Sequence, residues 1–151
     1  MVAAYSSRKS PDRGPAETAF GASSGALVLV VEDHEDTRLM LKHLLMLRGF
    51  DVAEAANGEE AIDLAERLRP GLILMDGSLP SLDGISATRR MRELATLRGV
   101  PIVMLSGHAE SAAQARARDA GCDGYLVKPF GFEQLYRVLA RYLSAENRAR
   151  P

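Results

Sequence analysis

The chain has 151 residues and a mass of 16.3 kDa, with 46% hydrophobic and 26% charged residues, enough apolar material for one soluble globular domain with a sizeable core. Nineteen basic against twenty acidic residues leave a formal charge of -1, so no overall field draws the molecule to nucleic acid or to an anionic membrane. The one cysteine, Cys122, excludes an internal disulfide and a cysteine-based zinc cluster, and no apolar run approaches the roughly 20 residues that span a bilayer or resembles a signal peptide, so the expected location is the cytoplasm.

Residues 1–25 are rich in Ser, Ala, Gly, Pro and charge, too poor in large apolar side chains to offset ordering entropy. They are expected to be a disordered N-terminal arm, a passive tail in preference to a docking tether. Residues 26–144 are expected to be the folded domain, and 145–151 a short polar C-terminal tail.

From Leu27 the chain alternates short apolar runs with longer amphipathic stretches. The first run, Leu27–Val31, reads as a strand buried on both faces and is followed by a helix near 35–48. Val52–Ala55 is a weaker strand that suits a sheet edge, and a helix near 58–69 follows. Leu72–Met75 is again continuous and apolar, with a helix near 84–97 behind it. Ile102–Leu105 repeats the pattern before a helix near 109–120, and Tyr125–Val127 is a second weak, edge-like strand. The last helix, near 131–143, is the clearest, because Leu135, Val138, Leu139, Tyr142 and Leu143 make one apolar stripe at three-and-four spacing. Gly49, Pro70, Gly99, Pro101 and Gly121 fall between elements, where chain breakers belong. Five βα units in one run predict a doubly wound α/β domain around a parallel sheet.

In such a sheet, functional groups collect just after the carboxyl ends of the strands. Here the first strand ends in Glu32-Asp33, the third in Asp76, the fourth in Ser106 and the fifth in Lys128-Pro129. Taken singly, Asp33 or Asp76 reads as a helix N-cap, Ser106 as a turn residue and Lys128 as a surface charge. Taken jointly, three carboxylates brought to one edge repel one another unless a cation sits among them. Oxygen ligands without an accompanying His or Cys point to Mg²⁺ or Mn²⁺. A lysine and a hydroxyl beside them supply positive charge and a hydrogen-bond donor to the oxygens of a phosphoryl group, with a carboxylate as the candidate nucleophile.

With these residues in place, the stretch 27–143 resembles the receiver domains of response regulators. The likeness is carried by Leu-Val-Leu-Val-Val-Glu-Asp at the first strand, Phe50 to Ala61 through the second strand and helix, Leu72-Ile-Leu-Met-Asp76, Pro80-Ser-Leu-Asp-Gly84, Pro101 to Gly107, and Gly124-Tyr-Leu-Val-Lys-Pro-Phe130. Each motif is weak alone; in this order and at these separations they are specific. The resemblance implies a five-stranded (βα)5 flavodoxin-like sheet of order 2-1-3-4-5. It implies that Asp76 takes phosphate from a phosphohistidine on a sensor histidine kinase or histidine phosphotransfer protein. Glu32, Asp33, Asp76 and the backbone carbonyl of Ser78 would hold Mg²⁺, Glu32 through a water, while Lys128 and Ser106 contact the phosphoryl oxygens. It further implies self-hydrolysis of the acyl phosphate, a switch through Ser106 and Tyr125, and an unknown downstream protein bound at the face of the fourth helix, fifth strand and fifth helix. The Lys128–Pro129 bond is commonly cis in the family.

Two glycines depart from that pattern, Gly77 beside the acceptor and Gly71 where an acidic residue is common. Gly77 is expected to loosen the acceptor loop and alter phosphoryl lifetime; Ser78 and His108 occupy positions that tune hydrolysis in the family. His34 and His43 lack partners at metal-ligand spacing and read as surface or packing residues, Cys122 as a small apolar filler, and Arg89, Arg90, Arg92, Arg116 and Arg118 as solvated helix faces. No Gly-rich phosphate loop is present, against an ATPase or NAD enzyme. Only a short polar tail follows the last helix, so no DNA-binding output is expected. Two other readings stay open. A scaffold working without phosphorylation is supported by Gly77 alone, and a metal-dependent phosphohydrolase is disfavoured because no second acidic residue stands two positions after Asp76.

Overall fold

The computed structural model describes residues 26–144. The expected N-terminal arm and C-terminal tail lie outside the described residues. Five parallel strands, β1 (Leu27–Val31), β2 (Asp51–Ala55), β3 (Leu72–Asp76), β4 (Ile102–Ser106) and β5 (Gly124–Val127), form one sheet in the order β2-β1-β3-β4-β5. The helices between and after them are α1 (Glu35–Leu47), α2 (Gly58–Leu68), α3 (Gly84–Glu93), α4 (Ser111–Ala120) and α5 (Phe132–Leu143). The weak strand signals at β2 and β5 match their places at the two edges.

Successive strand residues face opposite sides of a sheet, and here both sides are covered. Leu29, Val31, Ile73, Met75, Ile102 and Met104 pack against α2, α3 and α4 through Leu64, Ala65, Ala87, Met91 and Ala117. Val28, Val30, Leu72, Leu74, Val103 and Leu105 pack against α1 and α5 through Leu41, Leu45, Leu135, Leu139 and Leu143. A continuous apolar strand is therefore two alternating sets serving two cores. At about 25 cal/mol per Å² of apolar surface removed from water, these two layers hold the sheet rigid behind its rim.

Local signals set the helix ends. Asn57 caps α2, its side chain accepting from the Glu60 N–H at 2.8 Å while the Glu60 carboxylate accepts from the Ala56 N–H at 2.7 Å. Asp83 caps α3 by accepting from the Ser86 N–H at 2.8 Å. Gly49, at φ 89°, closes α1 with its N–H donating to Met46, a backbone conformation that needs glycine.

Two boundaries differ from the sequence reading by more than one residue. The third helix stops at Glu93; Leu94 is extended and a short 3-10 turn covers Ala95–Leu97. The cause is Arg92, read from sequence as a solvated charge and in fact mostly buried. Its Nη1 donates to the carbonyls of Leu97, Arg98 and Val100 at 2.8, 3.1 and 2.8 Å, its Nε to Gly121 at 2.9 Å, and its Nη2 to Asp123 at 2.8 Å. One guanidinium thus ties the α3–β4 connection to the α4–β5 loop and draws the chain out of helix. The fourth helix begins at Ser111, two residues later than the spacing predicts. Among the described residues no helix is long and apolar enough to cross a membrane.

Candidate active site at the carboxyl rim of the sheet

The sheet order brings β1, β3, β4 and β5 side by side, so residues at their carboxyl ends meet although they are far apart in sequence. Lys128, just past β5, places its Nζ 3.1 Å from Asp76 Oδ1 and 3.2 Å from Glu32 Oε1. The carboxylates are nearly sealed, with side-chain exposures of 4% for Asp76 and 1% for Glu32, against 31% for Lys128. The Lys128–Pro129 peptide bond is cis. Lys128 is held by its own backbone as well, its N–H donating to the Ser106 carbonyl at 2.7 Å.

Burial pushes the Asp76 carboxyl up and the neighbouring Glu32 charge adds to it; the Ser78 N–H and Lys128 do not cancel this, so its pKa stands above the ordinary value. Burial pulls Glu32 up too, but the His34 backbone N–H, Asp76 and Lys128 together outweigh it and hold Glu32 below the usual range. The Lys128 ammonium loses solvation by burial, yet Asp76 and Glu32 more than restore its preference for charge. Two buried acids thus share one cation, and Asp76 is the member left short of positive charge.

Asp33 follows Glu32 just past β1, with its side chain 31% exposed. Together with Glu32 and His34 it forms a group in which one ligand atom from each residue falls within 4.8 Å of the others. His34, expected to be a surface or packing residue, is 77% exposed, and its Nδ1 is 3.2 Å from Glu32 Oε2 and 3.4 Å from Asp33 Oδ1. His43 is exposed on α1, as expected for a surface residue.

Ser106 ends β4 beside Asp76, and its Oγ accepts from the His108 N–H at 3.1 Å. Ser78 approaches Asp76 by donating its N–H to Oδ1 at 3.2 Å. Gly77 does not adopt a left-handed backbone, and an added Cβ would meet Met104 Sδ at 3.4 Å, ordinary contact. Its bareness is therefore not imposed by the turn. Gly84 is different: a Cβ there would collide with the Asp76 carbonyl, so α3 can start against the acceptor loop only with glycine. Tyr125 does not join the carboxylate cluster. Its hydroxyl donates to the His108 carbonyl at 2.7 Å, and its ring borders a cavity of about 140 Å³ also lined by Gly77, Ser78, Met104, Ser106 and Ala113. Cys122 is buried, and burial raises its thiol to about 11, which fits a filler rather than a nucleophile.

Comparison with known proteins places this arrangement. Residues 28–140 match the model of the response regulator receiver domain. The polar-differentiation response regulator DivK of Brucella anthropi is 33% identical over 116 residues, covering 77% of this chain and 94% of that protein. The transcriptional regulatory protein PdtaR of Mycobacterium tuberculosis is 42% identical over 109 residues, 72% of this chain but 52% of PdtaR, so the chain spans about half of that relative. Among solved structures, the chemotaxis protein CheY4 of Vibrio cholerae superposes with a TM-score of 0.75 at 33% identity, covering 78% of this chain and 98% of that one. The receiver domain of the sensor histidine kinase PA1611 of Pseudomonas aeruginosa, solved with a magnesium ion in its active site cleft, gives 0.74 at 38% identity, covering 80% and 98%. Fold, strand order and sequence agree: the chain belongs to the receiver-domain family of response regulators, the phosphate-accepting signalling switches of two-component systems.

Proposed function

We propose that Asp76 is the phosphoacceptor. The observation that carries this is the contact of Lys128 Nζ with both Asp76 and Glu32 at the carboxyl rim of the sheet. An Asp76 oxygen attacks the phosphorus of a phosphohistidine on a sensor histidine kinase or phosphotransfer protein; the O–P bond forms as the P–N bond breaks, and the imidazole leaves. Lys128 is already within hydrogen-bonding distance of the acceptor oxygen and meets charge that moves onto the phosphoryl group. Ser106 donates its hydroxyl to a phosphoryl oxygen.

The donor set fits a hard divalent cation. Glu32, Asp33 and Asp76 are oxygen ligands, and among the described residues Lys128 is the only lysine or arginine paired with the buried Glu32 and Asp76, an imbalance that Mg²⁺ relieves. Asp33, Asp76 and the Ser78 carbonyl would hold it, with Glu32 behind them; Mn²⁺ satisfies the same ligands. When bound, the ion neutralises charge on the transferring phosphoryl group. The chain catalyses its own phosphorylation and, through water at the same site, its own dephosphorylation.

For the output, Ser106, whose Oγ accepts from the His108 N–H, donates its hydroxyl proton to the phosphoryl group and draws the loop after β4 toward it, a bond that charge strengthens. The loop shift releases the His108 carbonyl from Tyr125, whose ring turns into the adjoining cavity and remodels the face of α4, β5 and α5 for a downstream protein. Exposed Leu39, Met40, Met46 and Leu47 on α1, the helix leaving the site, give the phosphodonor an apolar footing. Incubation with acetyl phosphate and Mg²⁺ tests the core of this by intact mass. Wild type gains one phosphoryl group and Asp76→Asn gains none; equal labelling of both would remove Asp76 from the role.

A further inference from the structure

Arg38, in the first turn of α1, sends its guanidinium back across the start of the helix. Its Nη1 donates to the Glu32 backbone carbonyl at 2.9 Å and its Nε to Glu54 Oε1 at 3.1 Å. Glu54 stands on β2, the edge strand beside β1, and its other oxygen lies 3.1 Å from Lys42 Nζ, one turn further along α1. The side chains of Arg38 and Glu54 are 17% and 10% exposed, so this pair is largely shielded from water. The Glu32 N–H is taken up from the same side, donating to the Ala55 carbonyl at 3.0 Å. Because a peptide unit is planar, holding the Glu32 carbonyl fixes the Glu32–Asp33 unit and the Cα from which the Asp33 side chain leaves. Both peptide units of Glu32 are therefore anchored, one by the strand ladder and one by a guanidinium. A planar fork holds two acceptors in one set geometry, which a single ammonium cannot do.

Resting on the reading of the cleft as a Mg²⁺ site, we infer that Arg38 is a positioning residue for it: clamped by Glu54, it holds the Glu32–Asp33 peptide so that the two carboxylates stand ready beside Asp76. Charge and position predict opposite effects of removing it. A guanidinium near acidic ligands repels a divalent cation, so by charge alone its deletion tightens Mg²⁺ binding. By position, deletion frees the peptide, the carboxylates lose their alignment and Mg²⁺ binding weakens. The sign of the change separates the two.

Calorimetric titration of the full chain with Mg²⁺ tests this in wild type, Arg38→Ala, Arg38→Lys and Lys42→Ala. Arg38→Ala is expected to weaken Mg²⁺ by about tenfold, and Arg38→Lys, which keeps the charge but not the fork, by an intermediate amount. Lys42→Ala takes a cation from the same Glu54 without releasing the Glu32 carbonyl and should change the affinity less than about twofold. Labelling of Arg38→Ala by acetyl phosphate should be slow at limiting Mg²⁺ and return toward the wild-type rate at saturating Mg²⁺. Unchanged or tighter Mg²⁺ binding in Arg38→Ala overturns the inference and leaves Arg38 as a structural ion pair. An equal loss in Lys42→Ala overturns it in favour of a general loosening of α1. Should Arg38→Ala not fold, Arg38→Lys decides, and Mg²⁺ affinity equal to wild type overturns the role. If wild type binds no Mg²⁺, the cleft reading falls together with this inference; if wild type binds and Arg38→Ala binds equally well, only this inference falls.

Discussion

Replacing Lys128 by Met keeps most of the aliphatic stem and deletes the charge against which two buried carboxylates are balanced. At an effective dielectric constant of about 20, contacts of 3.1 and 3.2 Å each carry about 5 kcal/mol of Coulomb attraction. Most of that is offset by the cost of desolvating three charges, and the partial exposure of Lys128 screens what remains, leaving a net loss of about 2 kcal/mol on deletion. For a domain of this size that is a fall of about 6–10 °C in Tm without divalent ions. Mg²⁺ brings back the missing charge, so its stabilising effect should be larger in Lys128→Met than in wild type, while phosphorylation falls about 10²-fold because the charge is no longer beside the phosphoryl oxygens. Thermal unfolding with EDTA and with Mg²⁺ reads the first two effects, and mass-resolved labelling the third. A variant that melts no lower than wild type in EDTA, and gains no more from Mg²⁺, would refute the charge balance described here.

Asp76→Asn should act in the opposite direction. Because the folded state raises the Asp76 pKa, its favourable contribution is present below the ordinary carboxyl value and is lost as pH rises through the raised one. At neutral pH the ionised side chain is a cost, and the Asn variant should melt above wild type without divalent ions, an advantage that shrinks in acid; a lower melting point at pH 7 would contradict this. Ser106→Ala should slow phosphorylation by about 10²-fold with stability kept within about 1 kcal/mol, measured by labelling kinetics and urea unfolding. Arg92→Ala removes five hydrogen bonds donated by the guanidinium and should cost about 2–3 kcal/mol in urea unfolding, with Arg92→Lys recovering less than half because an ammonium cannot reproduce the fork.

Much of this was legible in the chain because parallel strands buried on both faces must read as unbroken apolar runs, and because their carboxyl ends carry the chemistry. Leu72–Met75 followed by Asp76, and Ile102–Leu105 followed by Ser106, needed no coordinates to be placed at one rim. What escaped was set by contacts distant in sequence. Nothing local to Arg92 shows that three carbonyls five to eight residues ahead, and a loop near Asp123, converge on it and end α3 early. His34, read as a surface residue, is one, but its contacts to Glu32 and Asp33 depend on the turn after β1 and could not be read from spacing. Tyr125 was singled out as a switch residue by resemblance alone; the hydrogen bond from its hydroxyl to the His108 carbonyl is a pairing across 17 residues that periodicity does not encode.

The identity of the acceptor is tested most directly by chemical trapping. After phosphorylation from a phosphohistidine donor in Mg²⁺, borohydride reduces an aspartyl phosphate to homoserine, and peptide mass mapping locates it. The conversion should fall on Asp76 and vanish in Asp76→Asn; homoserine at Asp33 instead, or none in a chain that has taken up phosphate, would contradict the account.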